Sequence, residues 1–302
     1  MKIFIETLNK QETSDKFMKI VKVLFFIFTS TLLYAGEFDL RPIVLDRSYE
    51  HDKWNTEPKD QLFEFAAYTV SFDGIDDNNG DDTGDLWGIP EWVSFEIKRT
   101  TTDYNLADRP GWKSDRDLYE AGITPKDNTY AVSGTRDLSE VKTDYRFVRG
   151  HMCPKDTAER ISEDAAYNTH TVLNAVPQLQ WQNNGIWKEL ESLCNDWADK
   201  YGRVWVITGP VFFDKNPALW LGQGDEKKAA VPDALFKIVI KENTFTMDTL
   251  SFLIPNILPK TEKDPADYLT NFKRIESLTG LDFFTYTDEN QIIQTLEREI
   301  SW

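Results

Sequence analysis

The stretch "VRGHMCP" (Val148–Pro154) places a histidine where it could do chemistry. Gly150 frees the backbone just before His151, Pro154 stiffens it after, and Arg149 sets a cation two residues upstream. An imidazole titrates near neutral pH, so a ring held in this way can serve as a general base. A ring that only fills a turn would have the same neighbours, and the motif alone leaves both readings open. A second stretch, "NAVPQLQWQNNGIWKELE" (Asn174–Glu191), supplies oxygen donors. Asn183 stands at the mouth of a predicted helix, where an amide is also a frequent cap. Glu191 follows eight residues later, a little over two turns along and on nearly the same side. An amide oxygen and a carboxylate facing a histidine hairpin suit a hard cation and its waters. Mg²⁺ fits because it keeps several waters and needs few protein ligands, and Mn²⁺ is a possible substitute.

The elements that must position these groups are legible as hydrophobic patterns. "AAYTVSF" (66–72), "WVSFEIKRT" (92–100), "RVWVITGPVFF" (203–213), "LFKIVIKE" (235–242) and "TLSFLIP" (249–255) read as strands, rich in aromatic and β-branched residues. Residues 184–201 and 267–279 carry apolar side chains at helical spacing, stopped by Gly202 and Gly280. Strands and helices do not alternate strictly, which predicts an α+β layered domain with a central antiparallel sheet. The acidic run Asp73–Asp85 tempts one towards a calcium loop, but its glycine comes one place early and no Glu closes it. A solvated loop is the expectation there. His51 lies in a polar stretch and is expected to be exposed, and His170 in "YNTHTVLN" is expected to be structural.

Composition narrows the function classes. The chain has 302 residues, 34 Lys plus Arg against 51 Asp plus Glu, and a formal charge of -17. That excludes a protein coating nucleic acid through a basic face, but not an enzyme with a small basic cleft. "MKIVKVLFFIFTSTLLYAGEF" begins at Met18 with Lys19 and Lys22, runs apolar to Leu33 and ends in Tyr34-Ala35-Gly36. This is the layout of a secretory signal peptide, too short for a comfortable span. The expected organisation is therefore an extension and signal over 1–35 and a single domain over 36–302. The product is exported, periplasmic or secreted, with no stable membrane association after signal removal; a retained N-terminal anchor is the competing reading. Cys153 and Cys194 are too few for a disulfide scaffold. They are either buried thiols or one bridge.

"VRGHMCP", then "NAVPQ" and "NNGIWKELE", together resemble the non-specific DNA/RNA endonucleases of the ββα-metal (His-Me finger) superfamily, the endonuclease G-like enzymes. The resemblance continues through "VWVITGPVF", "AVPDALFKIVI" and "IESLTGLDFF", over roughly residues 60–290. It implies a ββα-metal finger carrying the active site and hydrolysis of DNA and RNA phosphodiesters to 5′-phosphate products. By that resemblance His151 is the general base, Asn183 the direct metal ligand, and Glu191 the residue that orders the metal's waters. Arg149 steers the phosphate or braces the hairpin. Arg109, in "RPGWKSD", binds and stabilises the charged phosphate, with Arg99 and Arg116 as alternatives. Asn174 and Gln178 match family positions as support for the hairpin and site floor, with Gln178 also a candidate substrate contact. One departure stands out: Val148 occupies a position where the family commonly has Asp. Competing readings are an inactive exported binding module on the same fold and a phosphodiesterase for small nucleotides. A homodimer and an inhibitor protein are left open.

Overall fold

The computed structural model describes residues 40–72, 87–102, 104–130, 146–214, 217–296 and 302. The predicted signal peptide and the acidic run 73–85 lie outside the described residues. All described residues belong to one unit, Asp39–Trp302.

The strands that frame the molecule are β1 (Gln61–Glu64), β2 (Thr69–Phe72), β3 (Trp92–Lys98), β4 (Phe147–His151), β5 (Ala175–Leu179), β6 (Arg203–Val211), β7 (Ala234–Glu242), β8 (Met247–Pro255), β9 (Leu269–Thr270) and β10 (Ile292–Gln294). Among the described residues, β9-β8-β7-β6-β3-β2-β1 form the path of an eight-stranded sheet, with β10 also pairing β8. The β3–β6, β6–β7 and β7–β8 ladders are antiparallel, and the short β10 runs parallel to β8. The strands β4 and β5 form a separate hairpin. Helices are α1 (Arg116–Glu120), α2 (Lys155–Ala158), α3 (Glu163–Tyr167), α4 (Lys188–Tyr201) and α5 (Phe272–Thr279). The α+β layered architecture with a central, largely antiparallel sheet is the one the patterning predicts.

Burial on both faces explains why the central strands are almost continuously apolar. On β6 and β7, Val204, Val206, Leu235 and Val239 turn to one cluster, which also holds Leu190, Cys194 and Trp197 of α4 and Met152 and Cys153 beyond the hairpin. Trp205, Ile207, Phe236, Ile238 and Ile240 turn to the other, closed by Phe272 and Ile275 of α5. The site-bearing elements thus share one side of the sheet.

Two expectations change here. The predicted helix 267–279 begins at Phe272, because Asn271 accepts from the Arg274 N–H as a cap and Leu269–Thr270 pairs with β8 instead. His51 is not exposed. Its Nδ1 accepts from the Glu96 N–H and its Nε2 meets the Ala66 carbonyl, each at 3.1 Å. Burial pushes this imidazole down to about 4.

Candidate active site

The β4–β5 register sets His151 opposite Ala175, Gly150 opposite Val176 and Val148 opposite Gln178. Gly150 is glycine because Gln178 lies across it: a Cβ there would stand 1.8 Å from Gln178 Oε1 and 2.7 Å from its Cβ. Gln178 is fully buried and donates to Gln182 Oε1. It therefore forms the floor under the hairpin and is not presented to a substrate, which corrects its assignment as a binding residue. Asn174 clamps the hairpin's far end by accepting from the Cys153 N–H at 2.8 Å and donating to the Cys153 and Thr169 carbonyls. Asn256, at the end of β8, accepts from the Leu179 N–H at 2.9 Å and donates to the Pro177 and Pro232 carbonyls. The hairpin is fixed at both ends.

Arg149 is turned into that support. Its Nε lies 2.5 Å from Asp127 Oδ1, in ion-pair contact though not aligned as a hydrogen bond, and its Nη2 donates to the Asp127 carbonyl at 2.7 Å. The guanidinium also stands 5.9 Å from the centre of the Tyr130 ring. Of the two roles open to Arg149, bracing matches this placement and phosphate steering does not, because the fork is occupied.

His151 is partly buried, and its Nε2 has no hydrogen-bond partner among the described residues. The Trp112 ring lies 4.5 Å from it and the His170 ring 4.7 Å away, edge to face. Lys113 carries Trp112 there by accepting from the Val172 N–H and donating to the His170 carbonyl. Burial, then the charges of His170, Arg109 and Lys155, hold His151 well below the ordinary imidazole range. His170 is held at about 4 by burial first and Arg109 next. Both rings are neutral near pH 7, the form a base requires. His170 is fully buried, as a structural residue would be, yet it walls the catalytic candidate. Neither it nor Trp112 carries a spacing signal that sequence reading could have used.

Arg109 is exposed and has no carboxylate partner among the described residues, and its charge acts on both histidines. Arg99 is spent elsewhere: it donates to the Asp199 and Lys200 carbonyls at the end of α4. Among the described residues Arg109 is thus a cation with no carboxylate partner whose charge is felt at His151.

Asn183 is not a cap. A helical turn, Gln180–Gln182, precedes it, and Asn183–Trp187 forms a wide π-type turn kinked at Gly185. Such turns recur at functional sites. An unbroken α-helix would leave residues eight apart about 80° out of phase, but the helix is interrupted between Asn183 and Glu191 by the non-helical backbone of Gly185. The Asn183 Nδ2 donates to Asn184 at 3.3 Å, and among the described residues no hydrogen bond takes its Oδ1. Glu191 is pushed up to about 7 by burial, opposed chiefly by the Lys237 charge. The Trp187 indole N–H is near enough to steady the carboxylate but does not meet it in hydrogen-bond geometry. The Gln178–Gln182 bond just before Asn183 and the Thr157–Asn195 bond just after Glu191 clasp this helix to the hairpin side. Asn183 and Glu191 offer only oxygen, a donor set that fits a hard divalent cation. Among the described residues no group of three His, Cys, Asp or Glu could hold a metal.

Cys153 and Cys194 are both buried free thiols, without a bridge between them. Cys153 Sγ faces the Ala67 carbonyl at 3.8 Å.

Comparison with known proteins is consistent with this geometry. A family model described as DNA/RNA non-specific endonuclease matches residues 83–290. The mitochondrial nuclease EXOG of Homo sapiens is 26% identical over 163 residues, 49% of this chain and 42% of that protein. A protein called Nuclease from Nostoc sp. is 25% identical over 217 residues, 69% of this chain and 70% of its own length. The match to the mammalian relatives therefore spans less than half of their length. A solved structure titled as the EndoG/EndoGI complex, on the mechanism of EndoG inhibition, superposes with a TM-score of 0.59 at 19% identity, over 78% of this chain and 91% of that one. At that identity the likeness concerns the fold.

Proposed function

Because the chain belongs to the DNA/RNA non-specific endonuclease family, we propose that it is an exported, Mg²⁺-dependent endonuclease that hydrolyses DNA and RNA to 5′-phosphate products. The observation that carries this reading is the buried Nε2 of His151, without a hydrogen-bond partner among the described residues and walled by the Trp112 and His170 rings. His151 Nε2 takes the proton of the attacking water. Arg109 binds the scissile phosphate with a fork that matches its oxygens and offsets the charge gained as the bond to water forms. Asn183 Oδ1 would hold the cation, and the Glu191 carboxylate would order the waters around it. When bound, that ion would supply charge neutralisation to the scissile phosphodiester. Arg149, Asn174, Gln178 and Asn256 keep the hairpin in place and touch no substrate. Gly150 and Val148 sit over the floor, and Asp127 braces Arg149 from another part of the chain.

Incubating purified protein with plasmid DNA and with RNA, in Mg²⁺, in Mn²⁺ and in chelator, tests the reading. Cleavage of both polymers that chelator abolishes supports it; no cleavage with any divalent ion refutes it. Export rests on the Met18–Gly36 leader, and sequencing the N-terminus of protein recovered outside the cytoplasm tests it. An uncleaved start at Met1 or Met18 refutes signal removal.

A further inference from the structure

The end of the β4–β5 hairpin remote from His151 carries cations that the chemistry does not use. Arg146 immediately precedes β4 and is exposed, and its carbonyl accepts from the Gln180 N–H at 2.8 Å. That bond sets Arg146 beside the short turn Gln180–Gln182, from which the chain runs into Asn183. Trp181 in this turn is half-buried against the core, and its indole N–H donates to the Leu258 carbonyl at 2.8 Å. The exposed Lys260 lays its ammonium 4.9 Å from the centre of the Trp181 ring. Among the described residues neither Arg146 nor Lys260 has a carboxylate partner. In a chain with 51 Asp plus Glu against 34 Lys plus Arg, carboxylates are in excess. Two exposed cations left without one at the same corner call for an anion from outside.

The corner is also held in advance. Asn256 bonds the Leu179 N–H and the Pro177 carbonyl, and the Trp181 bond to Leu258 continues this contact two residues on. The loop after β8 is thus fastened along the end of the hairpin and delivers Lys260 onto the indole. A cation–π contact holds an ammonium in place and leaves its N–H groups open to an acceptor. A group fixed beforehand loses less freedom when a ligand arrives. Trp181 itself gives its N–H and part of its ring to the protein, so it seats the ammonium and is not a platform for a base. From Arg146 to His151 the strand advances five residues, on the order of 16 Å at about 3.3 Å each. Successive phosphates of a stacked strand are about 3.4 Å apart along its axis. The corner therefore meets the backbone about five nucleotides from the one at His151, and fewer where the strand is extended.

We propose that Arg146 and Lys260, the latter seated on Trp181, anchor the phosphodiester backbone of a polymeric substrate several nucleotides away from the bond being cut. This rests on the nuclease reading. Holding the polymer is thereby separated from the chemistry: Arg109 serves the scissile phosphate, and the corner serves one farther along the strand. Two local cations also let a chain of net charge -17 hold a polyanion without a basic face. Phosphate contacts carry no sequence information, so the anchor favours long chains over short ones whatever their bases.

Four proteins test the anchor: the unmodified chain, Arg146→Gln, Lys260→Gln and the double variant. Denaturant unfolding checks that each keeps the fold; should Lys260→Gln lose it, Lys260→Met keeps the stem on the indole without the charge. Cleavage is measured on a trinucleotide and on a single strand of about 20 nucleotides, long enough to reach the corner from the cut. Binding of the same two strands, labelled, is measured in chelator across a range of salt. KM and Kd for the long strand should rise about two- to fivefold for each cation removed, the range for exposed charge pairs, and about tenfold in the double variant. kcat should hold within about twofold, and the trinucleotide should be cut as before. Where affinity falls with salt, the logarithmic slope should shrink by about 0.7 for each cation. Lys260→Arg should keep the long-strand affinity, because arginine both stacks on aromatic faces and binds phosphate. An unchanged long-strand affinity and slope in the double variant would overturn the anchor, and so would an equal loss on both lengths. If the unmodified protein cuts neither strand yet binds the long one through these residues, the nuclease reading falls and the anchor stands.

Discussion

Gly150→Ala should damage the site through a neighbour that never meets substrate. A Cβ at Gly150 would lie 1.8 Å from Gln178 Oε1, 2.8 Å from Cδ and 2.7 Å from Cβ. The amide end could swing aside, but the Gln178 Cβ is fixed to β5 and cannot. Swinging the amide also breaks its bond to Gln182 in a fully buried setting. Overpacking of this kind costs about 1–3 kcal/mol, and the lost hydrogen bond about 0.5–1.5 kcal/mol. The fold should therefore lose about 2–4 kcal/mol, read as a lower denaturant midpoint at unchanged slope. His151 is the next residue, and a displacement near 1 Å costs on the order of 10²-fold in rate, read in single-turnover cleavage. Gln178→Ala added to Gly150→Ala should restore only part of the loss, because the Cβ remains. Gln178→Gly should restore more, at the lesser cost of a second glycine in a strand. If Gly150→Ala keeps full stability and activity, the close approach of Gln178 is not what requires glycine.

His151→Ala should lower cleavage by about 10²–10⁴-fold with folding and Mg²⁺ binding nearly intact, as calorimetry would show. Loss of metal binding in that variant would contradict its role as base. Asn183→Ala should also abolish cleavage, but raised Mg²⁺ should recover part of it; no recovery at any concentration would count against ligation by Asn183. Acid should destabilise the fold through His51 and His170, both held neutral to about 4. The unfolded chain takes up protons below about 6.5 while the fold does not, so stability is full above pH 6.5 and is lost as pH falls towards 4. Each ring accounts for at most about 3 kcal/mol, and His51→Gln with His170→Phe should flatten the profile of unfolding free energy between those values. Activity on long DNA should pass through a maximum with salt, because a net charge of -17 repels the polymer at long range while Arg109 attracts it locally. A steady decline from the lowest ionic strength would refute that balance.

The central strands were legible because they are buried on both faces and are rich in aromatic and β-branched residues. α4 was legible from Leu190, Cys194 and Trp197, but its beginning was not. A π-type turn has no hydrophobic period of its own, so Asn183 looked like a cap when it lies inside the turn. Arg149 shows a different limit. Its sequence neighbours left phosphate steering and hairpin bracing both open, and only the approach of Asp127 in the fold shows its fork occupied. His51 looked exposed for the same reason: the partners that bury it, Ala66 in the turn between β1 and β2 and Glu96 on β3, come from elsewhere in the chain. In "LFKIVI" a single lysine reads as an ordinary polar interruption, and nothing local reveals that both neighbouring strands and α4 close over it.

The order in which the chain is synthesised gives the Asn256 clasp a further meaning. Every group assigned to the chemistry, from Arg109 to Glu191, is translated before β7 and β8 exist. Until Asn256 is made, the Leu179 N–H and the Pro177 carbonyl lack the side chain that pins the hairpin, and α4 lacks much of the sheet face on which it packs. A nascent chain of this length class is thus complete in its reactive groups and incomplete in their alignment. On the proposed nuclease reading, the groups assigned to the chemistry stay unaligned until Asn256 has been delivered. Ribosome-arrested chains ending before and after Asn256 should differ in cleavage accordingly, and equal activity in the two would refute that dependence.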